Sequence, residues 1–126
     1  MAAALAITLT SSYNNITCPN ELVTFNCYST NSSFIRWRLT HDSYDDGEET
    51  LIKTQSAGMI QFHGHEFNAT LTYTAPDTFS TLFITVTPDL DGVTIECADG
   101  HGSEEVKLLQ VASMSLQQFF ALNMAQ

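Results

Sequence analysis

The stretch LVTFNC, residues 22–27, decides the fold because its apolar and polar residues alternate with a period of two. That alternation is typical of a β-strand with one buried face. Two other stretches alternate in the same way, IRWRL over residues 35–39 and VTIEC over residues 93–97. In each stretch the cysteine or the single tryptophan falls on the apolar side. The sequence therefore predicts three strands that point two cysteines and a tryptophan into one core.

The order Cys27, Trp37, Cys97 among short alternating strands resembles the immunoglobulin-like domain, with these residues on strands B, C and F. Residues 18–27 also resemble the passage from strand A′ to strand B of such domains. The resemblance covers roughly residues 5–112. It implies an all-β, immunoglobulin-like two-sheet Greek-key sandwich, a Cys27–Cys97 disulfide and a core position for Trp37. For function, it implies an extracellular binding module of a cell-surface receptor or adhesion protein.

Two positions depart from the immunoglobulin pattern at the corner between strands E and F. The tyrosine expected two residues before the second cysteine is Ile95 here. Asp91 stands where these domains often carry an aspartate, and Gly92 falls one place early. We therefore expect the hydrogen bond that braces this corner to be absent or replaced. Both a V-like and an I-like domain with a C′ strand agree with the sequence.

The rest of the chain contains further alternating stretches, separated by glycine, proline and small polar residues. The pattern points Tyr73 inward with Phe67, and the periodicity assigns Phe25 and Phe79 to the core. These stretches predict strands over residues 5–10, 50–54, 67–74, 79–87 and 104–112, with an extra short strand around 59–62.

The totals favour one domain over residues 1–112, because 126 residues suit a single domain. Residues 113–126 differ in character and form either a short helix or a disordered tail. A net charge of −10 argues against nucleic acid and anionic membranes as partners, since both would repel the chain. No apolar run reaches the roughly 18–20 residues needed to span a membrane.

Cysteines and glycosylation sequons favour a secretory route. Three N-x-Ser/Thr sequons begin at Asn15, Asn31 and Asn68. A glycan on Asn31 would mask the loop between strands B and C. Of the three cysteines, Cys18 remains after the expected pairing, and it is either unpaired or bonded to another domain or chain. We expect an extracellular location, as a secreted protein or the ectodomain of a membrane protein.

Other chemistry has weaker support in the sequence. His63 and His65, two residues apart on one strand, would project on one face and offer an alternative metal-binding β-sandwich. The acidic stretch 42–49 contains hard oxygen ligands, but its spacing fits a solvated loop better than a calcium site. No nucleophile elbow or phosphate loop is present. We therefore predict no enzyme, no cofactor and no metal site.

The basic residues predict where a protein partner binds. The only four, Arg36, Arg38, Lys53 and Lys107, fall on predicted strands C, C′ and G of one sheet. Glu96 projects outward beside the arginines from strand F, by the same alternation. These five residues form a candidate binding face for a protein partner or for a second copy of the chain. A structural spacer without its own ligand is the alternative.

The Cys27–Cys97 pairing is testable by peptide mapping under non-reducing conditions, which should recover these two cysteines in one linked peptide. The bridge closes a loop of about 70 residues, so reducing it should lower the free energy of unfolding by about 4 kcal/mol. Recovery of Cys18 linked to Cys27 or Cys97 would contradict the strand assignment.

Overall fold

A computed structural model describes residues 7–30, 32–42, 48–52, 57–100 and 102–112, with the backbone alone for 48–52 and 57. These residues form nine β-strands and one 3₁₀-helix, Pro88–Leu90. The strands are β1 Ile7–Ser11, β2 Leu22–Ser29, β3 Ile35–Thr40, β4 Glu48–Ile52, β5 Ala57–Phe62, β6 His65–Thr74, β7 Asp77–Thr85, β8 Thr94–Ala98 and β9 Glu104–Leu108.

The strands form two antiparallel sheets that pack face to face as a β-sandwich. The first sheet has the order β1-β2-β7-β6-β5, and the second sheet has the order β4-β3-β8-β9. A parallel bridge between Thr17 and Val111 ties the segment after β1 to the segment after β9. The all-β prediction is confirmed, and the two sheets with their disulfide are compatible with an immunoglobulin-like fold.

The core contains the residues that the alternation places inward. A disulfide joins Cys27 on β2 to Cys97 on β8 and so connects the two sheets. Trp37 on β3 is fully buried, and its indole Nε1–H donates a hydrogen bond of 2.8 Å to Ser80 Oγ on β7. The Ser80 hydroxyl in turn donates to the Thr70 carbonyl oxygen at 2.6 Å. The indole therefore buries its ring without leaving its N–H unsatisfied.

The bounds of β2, β4 and β5 can be compared with the strands that the sequence predicts. β2 begins at Leu22 with the predicted stretch 22–27 and continues to Ser29. The extra strand exists as β5, which is longer than expected and pairs with β6. The predicted C′ strand over 50–54 is found two residues earlier, as β4. The tail 113–126 lies outside the described residues.

Two aromatic residues assigned to the core are exposed. Phe79 is 42% exposed because Thr78 and Ser80, on either side of it, take the inward positions of β7. Tyr73 is 44% exposed because it lies in the last three residues of β6, all of which are solvent-accessible. A small hydroxyl side chain can occupy the core-facing side of β7 because the Ser80 hydroxyl accepts a hydrogen bond from Trp37.

The corner before β8 is braced by a replacement for the missing tyrosine. Asp91 Oδ1 accepts a hydrogen bond of 2.8 Å from the Val111 backbone N–H, and the Gly92 N–H donates to the Leu109 carbonyl oxygen at 2.8 Å. Gly92 has a φ of +92°, and a Cβ there would meet His41 Nε2 at 3.0 Å. Glycine at this position therefore satisfies both a left-handed turn and a close approach.

The Trp37–Ser80 hydrogen bond predicts a measurable coupling. Ser80→Ala leaves the buried indole N–H without its partner, so it should lower the free energy of unfolding by about 1–3 kcal/mol in urea denaturation. In a Trp37→Phe background the same change should cost less, because no orphaned N–H remains. An equal loss from Ser80→Ala in both backgrounds would show that the hydrogen bond contributes nothing.

Candidate functional site

The register of the second sheet brings several predicted site residues onto its outer side. Arg38 on β3 lies directly opposite Glu96 on β8, and Glu96 in turn lies opposite Val106 on β9. Residues paired in this way share one side of an antiparallel sheet. We name this surface the β3–β8–β9 face and define it by Arg36, Arg38, Glu96, Val106 and Leu108.

An ion pair crosses the β3–β8–β9 face. Arg36 Nη2 lies 3.3 Å from Glu96 Oε1, on the neighbouring strand. Arg38, two residues further along β3, is exposed. Partly exposed ion pairs contribute only about 0–1 kcal/mol to stability, so the pair does more to hold the Arg36 side chain in place than to stabilise the fold.

The candidate face is only partly as predicted. The structure brings Arg36, Arg38 and Glu96 together. Lys107, however, lies opposite the buried Ile95 and so takes the core-facing side of β9. As an edge strand, β9 leaves this lysine half-buried at the rim of the sandwich. Lys53 lies outside the described residues.

Sequence reasoning missed two apolar residues of the same face. Val106 is 57% exposed and Leu108 is 51% exposed, both on the outer side of β9. The sequence did contain a signal for their exposure, which is the period-two alternation of β9. Lys107 falls on the same side as the buried Leu109 and Val111, so Val106 and Leu108 fall on the outer side. Only the pairing with β8 shows that these apolar side chains stand beside Glu96.

The described sequons lie away from this face or at its margin. Asn68 lies opposite Phe83 on β7 and Met59 on β5, on the outer side of the first sheet, as its predicted outward orientation requires. Asn15 is exposed in the segment between β1 and β2. Asn31 lies outside the described residues. Cys18 is half-buried and belongs to no disulfide within the described part of the chain.

The two histidines do not share a strand face as the metal alternative assumed. His63 and Gly64 form the tight turn between β5 and β6, with φ values of +47° and +85°. His65 begins β6, and its Nε2 lies 2.6 Å from Asp89 Oδ2. Across residues 7–30, 32–42, 48–52, 57–100 and 102–112, no three His, Cys, Asp or Glu side chains cluster in a way that could hold a metal ion. His101, Asp45 and Asp46 lie outside these ranges.

The Asp89 carboxylate is stabilised in its charged form. The Thr87 hydroxyl donates a hydrogen bond to Asp89 Oδ1, and this bond is the main cause that lowers the pKa of Asp89. The hydrogen bond with His65 lowers the pKa of Asp89 further. This arrangement ties the beginning of β6 to the 3₁₀-helix.

Comparisons with known proteins name no relative. The chain matches no model of a known protein family, and a search of the curated proteins found no match. Within the described residues, no helix is long and apolar enough to cross a membrane.

The lowered pKa of Asp89 predicts an acid-dependent loss of stability. A carboxylate with a lowered folded pKa stabilises the fold above its unfolded pKa of about 3.9, and this contribution is lost as pH falls through the folded value. Asp89→Asn should therefore lower the free energy of unfolding at pH 6, and with it the urea midpoint. The loss should be less than about 1 kcal/mol because the group is exposed. The difference from wild type should shrink as the pH falls below the unfolded pKa of about 3.9 and through the lower folded value.

Glu66→Gln, which changes an exposed carboxylate on the same strand as His65, serves as the control for Asp89→Asn. It should leave the urea midpoint close to wild type at both pH values. A wild-type midpoint for Asp89→Asn at pH 6 would contradict the assignment.

Proposed function

We propose that the chain is an extracellular immunoglobulin-like binding module that holds a protein partner against its β3–β8–β9 face. The observation that carries the proposal is the composition of this face. Two exposed apolar side chains on β9, Val106 and Leu108, share this face with Arg36 and Arg38 on β3, from which β8 separates them, on an otherwise acidic protein. The module belongs, in this proposal, to a cell-surface receptor or adhesion protein.

The family part of the proposal is supported by several features of immunoglobulin-like domains that occur together. The disulfide joins the two sheets, and Trp37 is buried on β3. The order of strands in each sheet is compatible with that architecture once β5 is added at one edge. Disulfides persist in oxidising compartments, which supports an extracellular location together with the sequons at Asn15 and Asn68.

The chemistry of the face suits a protein ligand. Protein interfaces combine apolar side chains with arginine, and arginine contributes a large share of the residues that dominate binding energy. On this face Arg36 is held by Glu96 at 3.3 Å, so less side-chain entropy is lost when a partner binds. The exposed Arg38 adds a cation to the same face, with Glu96 between it and Val106.

Electrostatics favours an acidic partner surface. The three described lysine and arginine residues all belong to the second sheet, on a chain with a net charge of −10. Of these, Arg36 and Arg38 lie on the face and Lys107 does not. The exposed Arg38, on an otherwise acidic protein, attracts acidic surfaces and repels the wrong orientation. A second copy of the same acidic chain satisfies this requirement, so the contact includes the homophilic case.

Binding to a panel of purified ectodomains, with the chain itself among them, tests the proposal. The wild-type domain displayed as a tetramer should bind at least one member, and the signal should fall as salt rises. Arg38→Glu and Val106→Asp should each weaken this binding by about tenfold or more, since both alter the centre of the face. Arg36→Glu should weaken it as well.

Lys107→Glu provides a matched control, because it makes the same charge change in the same sheet but on the core-facing side of β9. It should bind within about twofold of wild type. Binding that is unchanged in Arg38→Glu and Val106→Asp, with the fold intact by circular dichroism, would exclude this face. A tetramer that binds no member would favour the spacer alternative.

A further inference from the structure

The outer side of the first sheet carries an exposed aromatic pair. Tyr28 on β2 lies directly opposite Phe79 on β7, and both side chains are 42% exposed. Exposed rings are uncommon where a surface only has to be soluble, and adjacent rings offer a flat apolar site to a ligand. These two residues lie on the opposite sheet from the β3–β8–β9 face.

A cleft of about 320 Å³ opens beside the two rings. Its depth comes from small neighbours, because Thr72 lies opposite Phe79 and Thr74 lies opposite Asp77 across β6 and β7. A larger side chain at either threonine would occupy the space next to the ring. We name this site the Tyr28–Phe79 cleft; its lining residues are Tyr28, Thr72, Thr74, Ala75, Asp77, Thr78 and Phe79.

A carboxylate stands at the edge of the cleft. The Tyr28 hydroxyl donates a hydrogen bond of 2.7 Å to Asp77 Oδ2, across β2 and β7. This hydrogen bond is the main cause that raises the pKa of Tyr28, so the phenol stays protonated and acts as the donor. Asp77 thus places a carboxylate at the edge of the cleft, with the Tyr28 hydroxyl among its partners.

The described strands of the first sheet carry neither lysine nor arginine. Strands β1, β2, β5, β6 and β7 contain no lysine and no arginine, as their described sequences show. The described lysine and arginine residues all lie in the second sheet. The cleft therefore combines two ring faces and a negative charge on a surface without basic side chains. That combination is complementary to a cation that can lie flat.

We infer that the Tyr28–Phe79 cleft receives an arginine side chain from a partner protein. A guanidinium is planar, so it can stack on the face of Phe79 and donate hydrogen bonds to Asp77 at the same time. A lysine ammonium provides a point charge without a plane to stack, and it is more strongly hydrated. A neutral sugar could stack on the rings, but it would gain nothing from the negative charge.

The site is independent of the proposed β3–β8–β9 face. The two surfaces lie on opposite sheets of the sandwich, so occupation of one leaves the other accessible. They also differ in chemistry, because one combines arginines with aliphatic residues and the other combines aromatic rings with an aspartate. The domain would then join an acidic partner surface on one side to a basic partner surface on the other.

Titration of the ¹⁵N-labelled chain with short peptides tests the inference by NMR. The probes are a glycine-serine pentapeptide with arginine at its centre and the same peptide with citrulline, which has similar shape and no charge. The arginine peptide should shift the amide resonances of Tyr28, Asp77 and Phe79 in a saturable manner. The citrulline peptide should bind about tenfold more weakly, since it keeps the stacking but loses the charged interaction.

Variants locate the site. Asp77→Asn should weaken binding of the arginine peptide by about tenfold and remove the preference for arginine over citrulline. Phe79→Leu should weaken binding of both peptides, because the aromatic surface on which they stack is lost. Glu66→Gln removes a carboxylate from the same sheet outside the cleft and should bind like wild type.

Three outcomes would overturn the inference. The first is equal binding of the arginine and citrulline peptides to the wild-type chain, a comparison that needs no variant to fold. The second is a set of shifts centred on the β3–β8–β9 face instead of the cleft. The third is saturable binding of glucose, galactose or mannose at the cleft without a response to arginine, which would make it a sugar site.

Discussion

The contact between the two sheets at Trp37 is the constraint on which the rest of this structure depends. The Cys27–Cys97 bridge links the sheets covalently, and the buried indole bonds Ser80 of the opposite sheet at 2.8 Å. Burial of an indole without a partner for its N–H costs free energy, so the opposite strand has to present a hydroxyl there. The alternation of β7 is therefore determined from inside the core.

Most of the sandwich could be predicted from the sequence because the inward residues of β2, β3 and β8 repeat strictly every second position. Such a pattern is local, and a slip of one residue would expose the whole apolar set. The predictions for Phe79 and Tyr73 were wrong for different reasons. Tyr73 lies in the last three residues of β6, all of which are exposed. On β7, alternation with the buried Leu82 and Ile84 places Ser80 inward and Phe79 outward. The hydrogen bond with Trp37 on another strand is what satisfies the buried Ser80 hydroxyl.

The candidate face was less accessible to sequence reasoning, because it depends on register between strands. Alternation places Arg36, Arg38 and Glu96 outward, but it does not say which residues of a distant strand stand beside them. Pairing of β9 with β8 moves Lys107 off the face and brings Val106 onto it. The brace at Asp91 was equally non-local, since its partner Val111 lies twenty residues away.

The same internal constraint also accounts for the difference between the two outer surfaces. Because Ser80 faces the indole, Phe79 must face solvent, and the pairing of β7 with β2 puts it opposite Tyr28. Asp77, on the same side of β7, then comes within 2.7 Å of the Tyr28 hydroxyl. In the second sheet the inward Trp37 puts Arg36 and Arg38 outside by the same rule. The buried contact thus helps to set which side chains each sheet presents to solvent. One side presents aromatic rings with an aspartate, and the other presents two arginines with a glutamate and aliphatic residues.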